Sequence, residues 1–138
     1  MADELLLDTG ALVGLLDRSQ SIHTACVEFY SSWSGSVVTT EAVITEATHL
    51  LSNVRNGGAA CLDFVLEGGA LLVPSSDLSI KRCRTLLEKY ADLPIDFADA
   101  TLIVLAEELN TDVVFTFDSD FRIYRIRGRK HFRIVPES

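Results

Sequence analysis

Leu5-Leu6-Leu7-Asp8-Thr9-Gly10 is a short unbroken apolar run that stops at a polar turn. Three consecutive leucines leave no face for water, so the run predicts a strand buried on both sides, as in a parallel sheet. The pattern returns near the other end of the chain as Val113-Val114-Phe115-Thr116-Phe117, followed by polar Asp118-Ser119-Asp120. Working outward, further strands are expected at 36–39, at 70–73 where Pro74 ends the run, and at 132–135. Helices are expected at 11–17, 21–33, from the N-cap Thr40 to about 52, at 59–67 after Gly57-Gly58, at 77–90, and at 97–109 behind Pro94 and Asp96. Strands alternating with helices imply an α/β fold, with a mostly parallel central sheet flanked by helices in three layers, α/β/α. The 138 residues suit one domain, 1–138.

Such sheets bind ligands beyond the carboxyl ends of their strands. Asp8 and Asp118 each stand just past a strand, so the fold carries both to one edge. Acids favour turns for local reasons, so either alone says little. Glu46 lies three residues after Val43 and four before Leu50, on the apolar stripe Val43, Ala47, Leu50 and Leu51. A carboxylate there is paired, neutralised or bound to a metal, or it sits at the stripe's edge in a salt bridge or snorkels to water. Asp99 faces inward with Leu102, Ile103 and Ala106, although an acid in a helix's first turn also complements the helix dipole. Asp96 reads as the N-cap of that helix. Two strand-end acids and two inward-facing helical acids, with no His or Cys cluster, form a hard oxygen donor set suited to Mg²⁺ or Mn²⁺.

The net charge of −8 argues against wholesale coating by nucleic acid, but its distribution is uneven. Residues 122–138 hold six of the twelve Lys and Arg and one acid, whereas residues 1–121 hold six bases and nineteen acids. Arg122, Arg125, Arg127, Arg129 and Lys130, with Arg133, are candidates to grip a nucleic-acid backbone or to dock an acidic segment of a partner; the other reading is a solvated loop followed by an edge strand protected by charge. Phe121 and Tyr124 are candidates for base stacking or for core packing, and Phe29, Tyr30 and Trp33 for core or dimer packing. Three widely spaced cysteines, Cys26, Cys61 and Cys83, read as thiols of a reducing cytosol. No signal peptide and no membrane span is expected, which places the chain in the cytoplasm. His23, His49 and His131 lack metal-ligand spacing.

The motifs resemble those of PIN-domain proteins, and most closely the toxin ribonucleases of type II, VapBC-like, toxin–antitoxin pairs. The resemblance covers essentially the whole chain. It rests on Leu6-Leu7-Asp8-Thr9-Gly10-Ala11-Leu12, on Thr39 to Glu46, on Asp96-Phe97-Ala98-Asp99-Ala100-Thr101-Leu102-Ile103, and on Val114 to Phe121, in matching order and spacing. It implies Asp8, Glu46, Asp99 and Asp118 as catalytic and metal-binding residues. It further implies Mg²⁺- or Mn²⁺-dependent endonucleolytic cleavage of RNA by an activated water, leaving a 3′-hydroxyl and a 5′-phosphate. A homodimer and a small cognate antitoxin that occupies the acidic pocket are the implied partners. Asp96 and Asp120 are extra acids that contact metal through water or shape the pocket's charge. Thr9 and Thr116 are hydroxyls placed to bond a carboxylate or a phosphate, or are ordinary strand-end residues. An RNA-binding or interaction scaffold, or an RNA-maturation nuclease without a toxin role, are the other readings. A haloacid-dehalogenase-type phosphatase needs a second acid where Gly10 stands. A phospho-receiver needs an acidic pair and a lysine that are not apparent.

Overall fold

In the computed structural model, which describes residues 3–137, Leu5, Leu6 and Leu7 are each fully buried. They form β1 (Leu5–Leu7), the middle strand of a five-stranded sheet. Its neighbours are β2 (Val37–Thr39) and β4 (Val113–Phe115), and outside them lie β3 (Leu71–Leu72) and β7 (Arg133–Val135). The order is β3-β2-β1-β4-β7 and every pairing is parallel. Among the described residues six α-helices flank the sheet: α1 (Thr9–Leu16), α2 (His23–Ser32), α3 (Glu41–Leu50), α4 (Gly57–Leu66), α5 (Asp77–Lys89) and α6 (Phe97–Leu109). The expected α/β architecture with a mostly parallel sheet is what the chain adopts.

Local chemistry explains where the elements begin. Thr40 caps α3 by accepting from the Val43 N–H, and Ser76 and Ser79 form a reciprocal capping box at α5. Asp96 caps α6 through the Asp99 N–H at 2.8 Å, as its place before the helix predicts. Asn110 then ends α6 with φ at +55°. Residues 98–106 of α6 are all buried, so this helix runs through the core instead of along its surface. Where α1 approaches α2, a Cβ on Gly14 would stand 2.6 Å from the Cys26 sulfur, so only glycine admits that contact.

Four expectations need correction. The first helix starts at Thr9, so Gly10 lies inside it instead of in a turn, because Asp8 itself supplies the N-cap. The strand expected at 113–117 ends at Phe115; the chain leaves the sheet there and Phe117 is 43% exposed. Leu50 is 58% exposed and does not belong to the buried stripe of α3, which runs through Val43, Ala47 and Leu51. The segment after Asp118 is not a plain loop. It forms a 3₁₀ turn, Ser119–Arg122, and a small antiparallel hairpin of β5 (Arg125–Ile126) and β6 (Lys130–His131).

Candidate metal centre

Parallel pairing of β1 with β4 delivers Asp8 and Asp118 to the same edge, and the start of α6 brings Asp99 to it. Carboxylate oxygens of Asp8, Asp99 and Asp118 lie within 4.8 Å of one another. Opposite ligands of an octahedral Mg²⁺ stand about 4.2 Å apart, so the three acids fit one divalent cation with only small side-chain adjustment. Asp8 and Asp99 are buried and Asp118 is half-buried, which makes a shared cation the natural relief of their repulsion.

Each acid is held from behind. One Asp8 oxygen accepts from the Thr9 N–H at 2.8 Å and the other from the Thr116 hydroxyl at 2.6 Å. The same Thr116 hydroxyl accepts from the Asp118 N–H at 2.9 Å, so one side chain ties the two strand-end acids together. Asp118 in turn accepts from the Asp120 N–H at 2.9 Å. The Tyr124 phenol, fully buried, donates to Asp99 Oδ2 at 3.1 Å. Glu46 lies outside the close trio. Half-buried on α3, it accepts from the Thr9 hydroxyl at 2.7 Å.

Burial and crowding shift the acids. Desolvation first, then the pull of neighbouring acids, pushes Asp8 up to about 6 and Asp99 up to about 8, against the hydrogen bonds that each accepts. Glu46 is also raised, by burial and by Asp96. Burial and the Asp99 charge push the Tyr124 phenol up, so it remains a donor.

These residues line an open cleft of about 580 Å³ that also takes in Asp96, Asp120, His49, Leu50, Pro94 and Phe117. All six acids singled out from the sequence therefore face one cleft. Sequence reading missed Tyr124 as a partner of Asp99 and His49 as a wall of the cleft. A buried phenol that must find an acceptor was the available signal for the first. Phe121 and Tyr124 are fully buried and pack edge to face, which settles them as core. Phe29 and Tyr30 likewise pack inward, against Phe115 and Phe64.

The basic residues disperse. Arg122 lies next to the cleft, among residues bordering Asp118. Arg125 donates to the carbonyls of Arg122, Ile123 and Tyr124 and so closes the 3₁₀ turn. Arg127 bonds the Glu107 carbonyl and Asn110, at the far end of α6 from Asp99, about 12 Å along the axis. Lys130 pairs with Asp112 at 3.4 Å, and Arg129 is exposed at the hairpin. Of these residues Arg122 lines the hollow next to the acids, whereas Arg125, Arg127 and Lys130 are engaged by partners within the chain.

Comparison with known proteins agrees with this geometry. The family model described as the PIN domain matches residues 5–126. Ribonuclease VapC26 of Mycobacterium tuberculosis is 30% identical over 136 residues, covering 96% of this chain and 100% of that protein. The crystal structure of Mycobacterium tuberculosis VapC20, described as a sarcin-ricin loop cleaving toxin, superposes with a TM-score of 0.73 at 19% identity, covering 84% of this chain and 91% of the other. VapBC2 from Rickettsia felis, solved bound to a promoter DNA fragment, gives 0.66 at 16% identity and covers 96% of this chain and 99% of its own.

Proposed function

Because this chain belongs to the PIN domain family, we propose that it is an endoribonuclease dependent on Mg²⁺ or Mn²⁺ and the toxin of a VapBC-like toxin–antitoxin pair. The observation that carries this reading is the convergence of the Asp8, Asp99 and Asp118 carboxylates within 4.8 Å. A divalent cation held by them supplies charge to offset a phosphodiester in its transition state and makes a nearby water more acidic. Asp8 and Asp118 keep their aim through Thr116, and Asp99 through Tyr124. Glu46, fixed by Thr9 and raised toward neutrality, is suited to orient the attacking water and accept its proton. Attack at phosphorus with departure of the 3′ oxygen leaves a 3′-hydroxyl and a 5′-phosphate. Asp96 and Asp120 add to the negative potential of the cleft.

An acidic cleft of this kind suits a cationic side chain from a small antitoxin, and solved relatives include a toxin–antitoxin complex from Klebsiella pneumoniae, with a TM-score of 0.64 at 16% identity. Exposed leucines at 62, 66, 71 and 78 offer apolar surface for a homodimer. Three free, buried thiols suit a cytoplasmic setting, and no helix among the described residues is long and apolar enough to cross a membrane. Arg122, Arg125, Arg127, Arg129 and Lys130 are proposed RNA or antitoxin contacts. Arg122 is the best supported, because it lines a hollow that shares Phe117 and Asp118 with the cleft and its guanidinium has no partner among the described residues.

The test is cleavage of RNA with Mg²⁺ or Mn²⁺ against EDTA. Chelation should abolish cleavage, and Asp8→Asn should lower it by more than about 100-fold while the circular dichroism spectrum stays unchanged. Full activity in pure Asp8→Asn protein would end the reading.

A further inference from the structure

Past the carboxyl ends of β4 and β7 lies a second depression of about 300 Å³ that shares Phe117 and Asp118 with the acidic cleft. Its remaining walls include Ala25, Ile134 and Pro136, with Arg122 and Glu137 also bordering it. Its volume is at the lower end of small-ligand sites. Two of its features are unexplained by the fold. Phe117 is 43% exposed although it follows a fully buried strand, and its only ring neighbour among the described residues is Phe115 at 6.3 Å. Arg122 is exposed and its guanidinium has no ion pair or hydrogen bond among the described residues, in contrast to Arg125 and Arg127 beside it.

We propose that this depression is a nucleotide subsite, in which the base flanking the scissile phosphate stacks on Phe117 and its own phosphate is held by Arg122. The proposal rests on the nuclease reading and extends it. An RNA strand crossing the three carboxylates meets Phe117 at the border of the two hollows, so the strand continues into the second without changing faces. A base offers a π-face to an aromatic ring whatever its sequence, and single-stranded RNA is recognised by this combination of stacking and backbone charge. The largely apolar interior suits a base. Among the described residues Arg122 is the one basic residue lining the hollow and supplies the charge a phosphate needs, whereas Glu137 and Asp118 repel a phosphate placed next to them. Phe117 and Arg122 thus give positioning contacts for the strand and are themselves outside the carboxylate trio.

The test compares wild type, Phe117→Leu, Phe117→Tyr and Arg122→Ala, each loaded with Mn²⁺, on a short single-stranded oligoribonucleotide. Phe117→Leu keeps apolar bulk and loses the ring. It should raise KM about tenfold, the worth of one stacked base, with kcat and Mn²⁺ affinity unchanged. Phe117→Tyr should retain the wild-type KM. Arg122→Ala should raise KM and flatten its dependence on salt. Wild-type KM in both Phe117→Leu and Arg122→Ala, with cleavage intact, would overturn the subsite and leave the nuclease reading standing. The same result with weakened inhibition by a co-expressed antitoxin would assign the hollow to that protein and also overturn the RNA subsite. A wild-type protein that binds Mn²⁺ but cuts no RNA would remove the nuclease reading and the subsite with it.

Discussion

Single side chains decide how far the three acids can spread. Thr116 donates to Asp8 and accepts from the Asp118 N–H, and Tyr124 donates to Asp99. Supports of this kind orient metal ligands, and their loss costs about 10- to 100-fold in metal affinity. Tyr124→Phe keeps the ring between Tyr90 and Phe121 but removes the donor. It is expected to weaken Mn²⁺ binding by about tenfold or more in calorimetry while the ring packing holds the thermal midpoint within a few degrees. The four main acids were legible in the sequence, because a strand end and a helix stripe can be read from spacing. Tyr124 was not, since its bond to Asp99 joins residues 25 apart through a turn that spacing does not describe.

At the scale of elements, α6 does two jobs at its first turn. Asp96 caps the helix, yet its charge is among the causes that raise Asp8, Asp99 and Glu46. Asn caps as well as Asp, and Ala costs about 1 kcal/mol. Asp96→Asn should therefore stabilise the metal-free protein near pH 8, and Asp96→Ala should fall about 1 kcal/mol below Asp96→Asn in urea unfolding. Equal stability of the two variants would remove the cap from the account. The long helices and central strands were readable from caps and apolar runs. The β5–β6 hairpin was not, because its turn carries positive φ at Arg127 and Gly128, the sign pattern of a type I′ turn. Asparagine or aspartate announces such a turn, and arginine does not; here Arg127 is held there by Glu107 and Asn110.

For the whole molecule, the crowded acids make stability depend on pH. Asp8 and Asp99 titrate in the folded protein at about 6 and about 8, above the ordinary value of 3.8 that they regain on unfolding. Between those limits the folded state holds protons that the unfolded chain has released, so stability falls as pH rises. The metal-free protein should have a lower thermal midpoint near pH 8 than near pH 5, and Mn²⁺ should recover the loss at the higher pH. A midpoint that rises across this range without metal would contradict the assignment. The charge asymmetry of the sequence was legible, but its geometry was not. The basic tail folds into a hairpin whose Arg127 reaches the far end of α6, while Arg122 lines the hollow beside the cleft.

Anomalous scattering from crystals soaked in Mn²⁺ tests the central claim most directly. The geometry predicts a strong peak enclosed by the carboxylates of Asp8, Asp99 and Asp118, and its loss in Asp99→Asn crystals. A wild-type crystal with Mn²⁺ bound elsewhere and none among these three acids would contradict it.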